Sequence, residues 1–216
     1  MTTRCGFDLG HYRELLDAAK AGGYRFAFFD HEPAAGDVLL RHDVDLSLDA
    51  AVRLAELEAE AGARATYFLM TRSVFYNLAS DEGERAVERL RELGHRIGLH
   101  AVFPHVDRDP ALFDDVLAWH NPDPDYISSP VDTWTNVMEP RFFTPDTYRS
   151  DSNQRWRSGC PHEELARGAF PWLQLLTHPE IWAYPGRTMR ETMLAMLDAE
   201  RERRLELLAA DRIDLS

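Results

Sequence analysis

The stretch Val38-Leu39-Leu40-Arg41-His42-Asp43-Val44-Asp45 is an apolar run that ends abruptly in two acids and a histidine. Side chains alternate along a strand, so Asp43 and Asp45 leave one face together while Val44 points back into the core. Two carboxylates in one site repel unless a cation or a proton sits between them, which makes a divalent metal the economical explanation. The competing reading has these acids opening a turn and capping the helix that starts near Leu48, although Ser47 or Asp49 can serve as that cap. Strand ends in α/β folds carry the chemistry, which favours the site.

Outward from this strand the chain alternates helix and strand. The spacing predicts a helix over His11 to Lys20, ended by Gly22-Gly23, and an aromatic strand from Tyr24 to Phe29. Leu48 to Ala61 repeats apolar residues at Leu48, Val52, Ala55 and Ala59, with Leu54 and Leu57 off that stripe. Strands follow at Ala65 to Met70 and Arg96 to His100, separated by a helix from Asp81 to Leu93. Pro110 to Ala118 reads as a helix leading to Trp119-His120. From Asn121 to Thr147 the chain carries five prolines and few helical repeats, the mark of a binding loop or lid. Order returns at Tyr148 to Asp151, at Trp172 to Thr177, and in a long helix from Arg187 to Ala210 with Met189, Met193, Met196 and Leu197 on its expected buried face. This alternation reads as βαβ units around a parallel sheet or barrel.

Composition narrows the function. The 216 residues suit one α/β domain spanning 1–216, and 44% hydrophobic with 28% charged residues excludes a disordered or fibrous chain. A formal charge of −13 leaves no basic stripe for nucleic acid or an anionic membrane. Cys5 and Cys160 are far apart in sequence, so neither a disulfide framework nor a cysteine zinc site is expected. The start lacks an export-type pattern and no stretch approaches a membrane span, so a cytoplasmic enzyme acting on metabolites is expected.

Asp43 and Asp45, His100, Asp151 and His178 all stand at or just after the C-terminal ends of expected strands, and His120 follows the expected helix. In a parallel barrel those ends share one face, where such folds build active sites. Carboxylate and imidazole together suit zinc or a similar ion, with three protein ligands and one open position.

Between Asp37 and Trp182 the sequence resembles the polysaccharide deacetylases, the NodB-homology or carbohydrate esterase family 4 proteins, in a divergent branch with RHDVD in place of TFDDG. Arg41-His42-Asp43-Val44-Asp45 matches the first motif, Ala65-Thr66-Tyr67-Phe68 the next strand, and Gly94-His95-Arg96-Ile97-Gly98-Leu99-His100 the approach to the second. His120-Asn121-Pro122 stands for the third, Asp151 to Trp156 for the fourth, and Leu175-Leu176-Thr177-His178 for the fifth. The resemblance implies a distorted (β/α) barrel of NodB type with fewer than eight strands, its parallel central strands surrounded by helices. It also implies hydrolysis of an N-acetyl or related N-acyl group on an aminosugar, as a nucleotide-linked, lipid-linked or oligosaccharide intermediate of surface-glycan or secondary-metabolite biosynthesis. Carried over, Asp43 is the general base, Asp45 and His100 are ligands of a divalent metal, most simply zinc, and His178 is the general acid.

The departures shape further expectations. Where the family has a second histidine this chain has Pro104, and two options stay open for the third ligand: His105, one residue late and brought in by a bulge, which is slightly favoured, or a water or another strand end. His120 replaces an arginine that steadies the acid pair, and Arg155 precedes Trp156 where an aspartate is usual; with Asp151 these are expected to bind substrate or support the site. His42 and His95 are read as structural. Two alternatives stay open: hydrolysis of small cyclic amides or formyl groups on the same fold, and a degenerate barrel that only binds glycan. Tyr126, Trp134 and Phe142 in the long loop either stack on a sugar face or close over something smaller. The oligomeric state is not legible.

Overall fold

The computed structural model describes residues 5–107 and 109–214. Its elements, in order, are α1 (Leu9–Ala21), β1 (Arg25–Phe26), β2 (Asp37–Val44), α2 (Leu48–Glu60), β3 (Ala65–Leu69), α3 (Asp81–Glu92), β4 (Arg96–Ala101), β5 (Val116–Trp119), β6 (Thr135–Asn136), β7 (Tyr148–Ser150), α4 (His162–Ala166), β8 (Leu173–Thr177), α5 (Pro179–Ala183) and α6 (Met189–Ala210). Seven strands form one sheet in the order β6-β5-β4-β3-β2-β8-β7, with β1 paired to the start of β2. Every pairing between these strands is parallel, and the sheet curls into a half-barrel with helices around it. This is the expected distorted barrel of fewer than eight strands.

The central strand is β2, buried along its whole length between β3 and β8. Leu40, His42 and Val44 share the face opposite to Arg41 and Asp43, as the two-residue period requires. Helix α2 is capped by Ser47, whose side chain accepts the Ala50 N–H, so Asp43 and Asp45 are not needed as caps. The turn of α2 differs from the expected stripe. Ala51, Leu54, Ala55 and Glu58 are buried, whereas Val52 lies only partly covered. Glu58 therefore faces the core, a placement that an apolar repeat cannot reveal. Within the sheet Gly98 of β4 makes room for β3: a Cβ there would lie 2.5 Å from the Phe68 ring.

Three other expectations change. The strand expected over Tyr24 to Phe29 pairs only at Arg25–Phe26. Leu197, expected on the buried face of the last helix, is half exposed, and Met196 with Thr192 forms the covered line instead. Most consequentially, Pro110 to Ala118 is not a helix. Asp109 O accepts from both Leu112 and Phe113 in a turn, and Val116–Trp119 then continues as β5 beside Leu99, His100 and Ala101 of β4. A short continuous apolar run fits a doubly buried parallel strand as well as a buried helix, and periodicity does not separate the two.

Candidate metal centre

Because β5 is a strand, His120 stands one residue beyond its C-terminal end, beside the ends of β2 and β4. Asp45 Oδ1 lies 3.1 Å from His100 Nε2 and 3.1 Å from His120 Nδ1, and the two ring nitrogens are 3.1 Å apart. A tetrahedral ion with bonds near 2.0–2.1 Å holds its ligands about 3.3 Å apart, so this triangle has the size of one face of such a site. His100 Nδ1 is 3.1 Å from the carbonyl of Ala118, which holds the ring proton there and turns the Nε2 lone pair inward. His120 Nε2 lies 3.2 Å from Asn121 Nδ2, and its Nδ1 faces Asp45 Oδ1 and His100 Nε2.

Asp45 Oδ1 is buried without a hydrogen bond of good geometry. A carboxylate oxygen and two ring nitrogens this close together need a cation or shared protons between them. Burial opposes ionisation of Asp45, but the two imidazoles outweigh it and hold the carboxyl well below the usual carboxylate range. The same contact to Asp45, against the cost of burial, raises His120 above the ordinary imidazole value. Asp45, His100 and His120 thus form a group able to hold a divalent metal.

Acid and base groups stand beside this triangle. Asp43 takes two parallel bonds from Arg41, Nε to Oδ1 at 2.8 Å and Nη2 to Oδ2 at 2.7 Å, and its Oδ2 is 3.7 Å from His100 Nε2. Burial pushes the Asp43 carboxyl up, yet the Arg41 charge prevails and keeps it below its ordinary value. On the other side of β2, His178 follows β8 and places Nδ1 2.6 Å from Asp151 Oδ1. Asp151 is fully buried and also accepts from the His178 backbone N–H at 3.0 Å and from Trp182 Nε1 at 2.7 Å. Burial lowers the His178 imidazolium's stability, but Asp151 more than reverses this, pushing its pKa up to about 10. Its free Nε2 faces the centre, 4.0 Å from Asp45 Oδ2.

Several expected site residues lie elsewhere. His105 is not among the converging ligand atoms: it is exposed beyond β4, close to Asp107, which bonds Thr71 and Arg72. His120 instead converges with Asp45 and His100, and Arg41 is the cation that pairs with Asp43. Arg155 is exposed, while Trp156 packs on Phe7 and Trp182 at 5.9 and 6.1 Å between ring centres. Trp134 and Phe142 are buried core residues rather than stacking platforms; Tyr126 is exposed and stacks on Phe103 at 4.4 Å. Phe103 in turn packs on Trp119, the residue before His120. His42 and His95 are structural, as expected. Each meets Glu58, His42 Nε2 at 2.7 Å and His95 Nδ1 at 3.6 Å.

The Arg41 clamp was readable from the sequence, since residues i and i+2 of a strand share a face. That His120 meets Asp45 and His100 is not legible in the sequence, because the short apolar run before it fits a helix as well as a strand. No family model, no curated protein and no solved structure matches this chain.

Proposed function

We propose that the protein is a zinc-dependent amidohydrolase that removes an N-acyl group, most simply acetyl, from an aminosugar. The observation that carries the reading is the placement of a clamped carboxylate, Asp43, and a carboxylate-held imidazole, His178, beside the Asp45, His100 and His120 triangle. An ion held by that triangle supplies Lewis acidity toward water and the amide carbonyl. Asp43, kept ionised by Arg41, accepts the proton of the attacking water. His178 is protonated at neutral pH, with Nδ1 committed to Asp151, so its Nε2–H is the proton delivered to the departing amine. The exposed Tyr126 and Phe103 pair offers a flat apolar face of the kind that stacks on a sugar ring. No helix among the described residues is long and apolar enough to cross a membrane, and the substrate proposed is a nucleotide-linked or short oligosaccharide aminosugar.

Acetate release from nucleotide-linked and oligomeric N-acetylaminosugars, by zinc-loaded and chelator-treated protein, tests the reading. The expected result is zinc-dependent release. Turnover of hydantoins or formamides without turnover of N-acetylsugars would move the substrate to a small amide. Failure to bind any divalent ion with Asp45, His100 and His120 intact would end the metal-dependent reading.

A further inference from the structure

A second group of ligand-type side chains assembles from two distant parts of the chain. Cys5 lies just before α1 and His11 in its first turn, while Cys160 and His162 flank Pro161 at the start of α4. We propose that Cys5, His11, Cys160 and His162 form a structural zinc site, separate from the centre at the strand ends. One ligand atom from each lies within 4.8 Å of all the others. Cys5 Sγ is 3.4 Å from His162 Nδ1, and Cys160 Sγ is 3.2 Å from His11 Nε2. Tetrahedral zinc, with bonds of about 2.3 Å to sulfur and about 2.0–2.1 Å to nitrogen, sets those atoms about 3.5 Å apart. The spacing is that of a site able to close on an ion with small adjustments.

The chemistry of the set points the same way. Two thiolates and two neutral imidazoles balance a divalent ion, so a half-buried site carries no net charge. Glu14 Oε2 stands 2.7 Å from His11 Nδ1, which keeps the ring proton on Nδ1 and directs the Nε2 lone pair at Cys160. A carboxylate behind a ligating histidine is the usual support for zinc. The two imidazoles meet edge to face at 80°, so their nitrogens converge without stacking. Four protein ligands leave no open position, which marks a structural role. A disulfide between Cys5 and Cys160 would account for the sulfurs but not for two imidazole nitrogens and a supporting glutamate aimed at them.

The ion would fasten the segment before α1 to the loop between Asp151 and α4. His11 also stacks on Trp182, whose Nε1 holds Asp151. Zinc here would thus brace the wall that positions His178, without touching the reaction.

Cobalt substitution of the full chain, purified under reducing conditions and stripped of zinc, separates this site from the other because only this one contains sulfur. The expected result is one equivalent of cobalt with a sulfur-to-cobalt charge-transfer band in the near ultraviolet, displaced by zinc. The band should persist in Asp45→Asn and vanish in Cys160→Ser and His11→Ala. A cobalt-loaded wild-type chain without the band, or a band that survives Cys160→Ser, overturns the proposal. So does a Cys5–Cys160 disulfide found by peptide mapping of protein kept under reducing conditions. Should the variants fail to fold, a mercurial titration of the wild-type thiols decides: one zinc released as the two cysteines are blocked supports the site, and no release refutes it.

Discussion

Arg41 and Asp43 stand two residues apart on β2, so guanidinium and carboxylate leave the same face and meet in two parallel bonds. The pair is nearly sealed from water, with side-chain exposures of 1% and 6%. Removing one partner of such a pair strands the other charge. Asp43→Asn is therefore expected to abolish turnover, keep the metal at Asp45, His100 and His120, and lower stability by about 3–5 kcal/mol in urea denaturation. Wild-type stability in that variant would show that the clamp is not the buried pair described. The ligand triangle makes a separate prediction. Asp45→Asn, His100→Ala and His120→Ala should each weaken zinc binding by more than the roughly 10–100-fold that an outer partner costs, whereas His105→Ala should leave it unchanged. Metal titration by calorimetry distinguishes this from a site completed by His105. His178→Ala should keep the metal and slow turnover by about 10²–10⁴-fold, since it removes only the proton donor.

Helix α2 docks on β2 and β3 through a carboxylate rather than a purely apolar stripe. Glu58 is fully buried and bonds Tyr12 Oη at 2.5 Å, Tyr67 Oη at 2.7 Å and His42 Nε2 at 2.7 Å, while His42 Nδ1 meets Thr177 Oγ1 at 2.7 Å. One acid on α2 thereby joins α1, β2, β3 and β8. Glu58→Ala leaves two hydroxyls and an imidazole without a partner and should cost about 3–5 kcal/mol by chemical denaturation. Helix α5 behaves differently. Glu180 is buried with Oε2 lacking a hydrogen bond, and burial pushes its carboxyl up to about 8. Its folded-state value lies above its ordinary one, so the folded chain holds this proton more tightly than the unfolded chain. Its contribution to the stability of chelator-treated protein is complete below the ordinary carboxylate range and is lost as pH rises through about 8. Glu180→Gln should flatten that slope in urea midpoints measured between about pH 5 and pH 9; an unchanged slope would place the titration elsewhere.

At the scale of the molecule the half-barrel does not close strand to strand. Gln174 of β8 holds the segment that follows β6, donating to Val137 O at 3.0 Å and Phe142 O at 2.6 Å and accepting from Arg41 at 3.3 Å. The segment is thus tied into the same polar network that fixes Asp43; Trp134 and Phe142 turn inward and Tyr126 outward. Tyr126→Ala removes a stacking face but no reacting group. It should raise KM for an N-acetylsugar about 10-fold with kcat nearly unchanged; an equal fall in kcat would assign Tyr126 to the reacting geometry instead.

The sequence by itself determined the architecture and the placing of its carboxylates and imidazoles at strand ends. Strand and helix alternate because apolar runs and amphipathic repeats demand it, and Asp43, Asp45, His100, Asp151 and His178 fall at strand ends because each run stops at a polar residue. Those features are local. What tertiary structure decided is which of these groups meet. His120 completes the triangle because Val116–Trp119 pairs with β4 as a strand, a choice made by the empty hydrogen-bonding edge of β4 and not by four apolar residues in isolation. Glu58 is a core residue because three partners from other elements satisfy it. Cys5 and Cys160, 155 positions apart, become neighbours only when the start of α1 packs beside the loop that follows β7. Sequence spacing records neighbours along one element, whereas ligand sets and buried polar networks are built between elements.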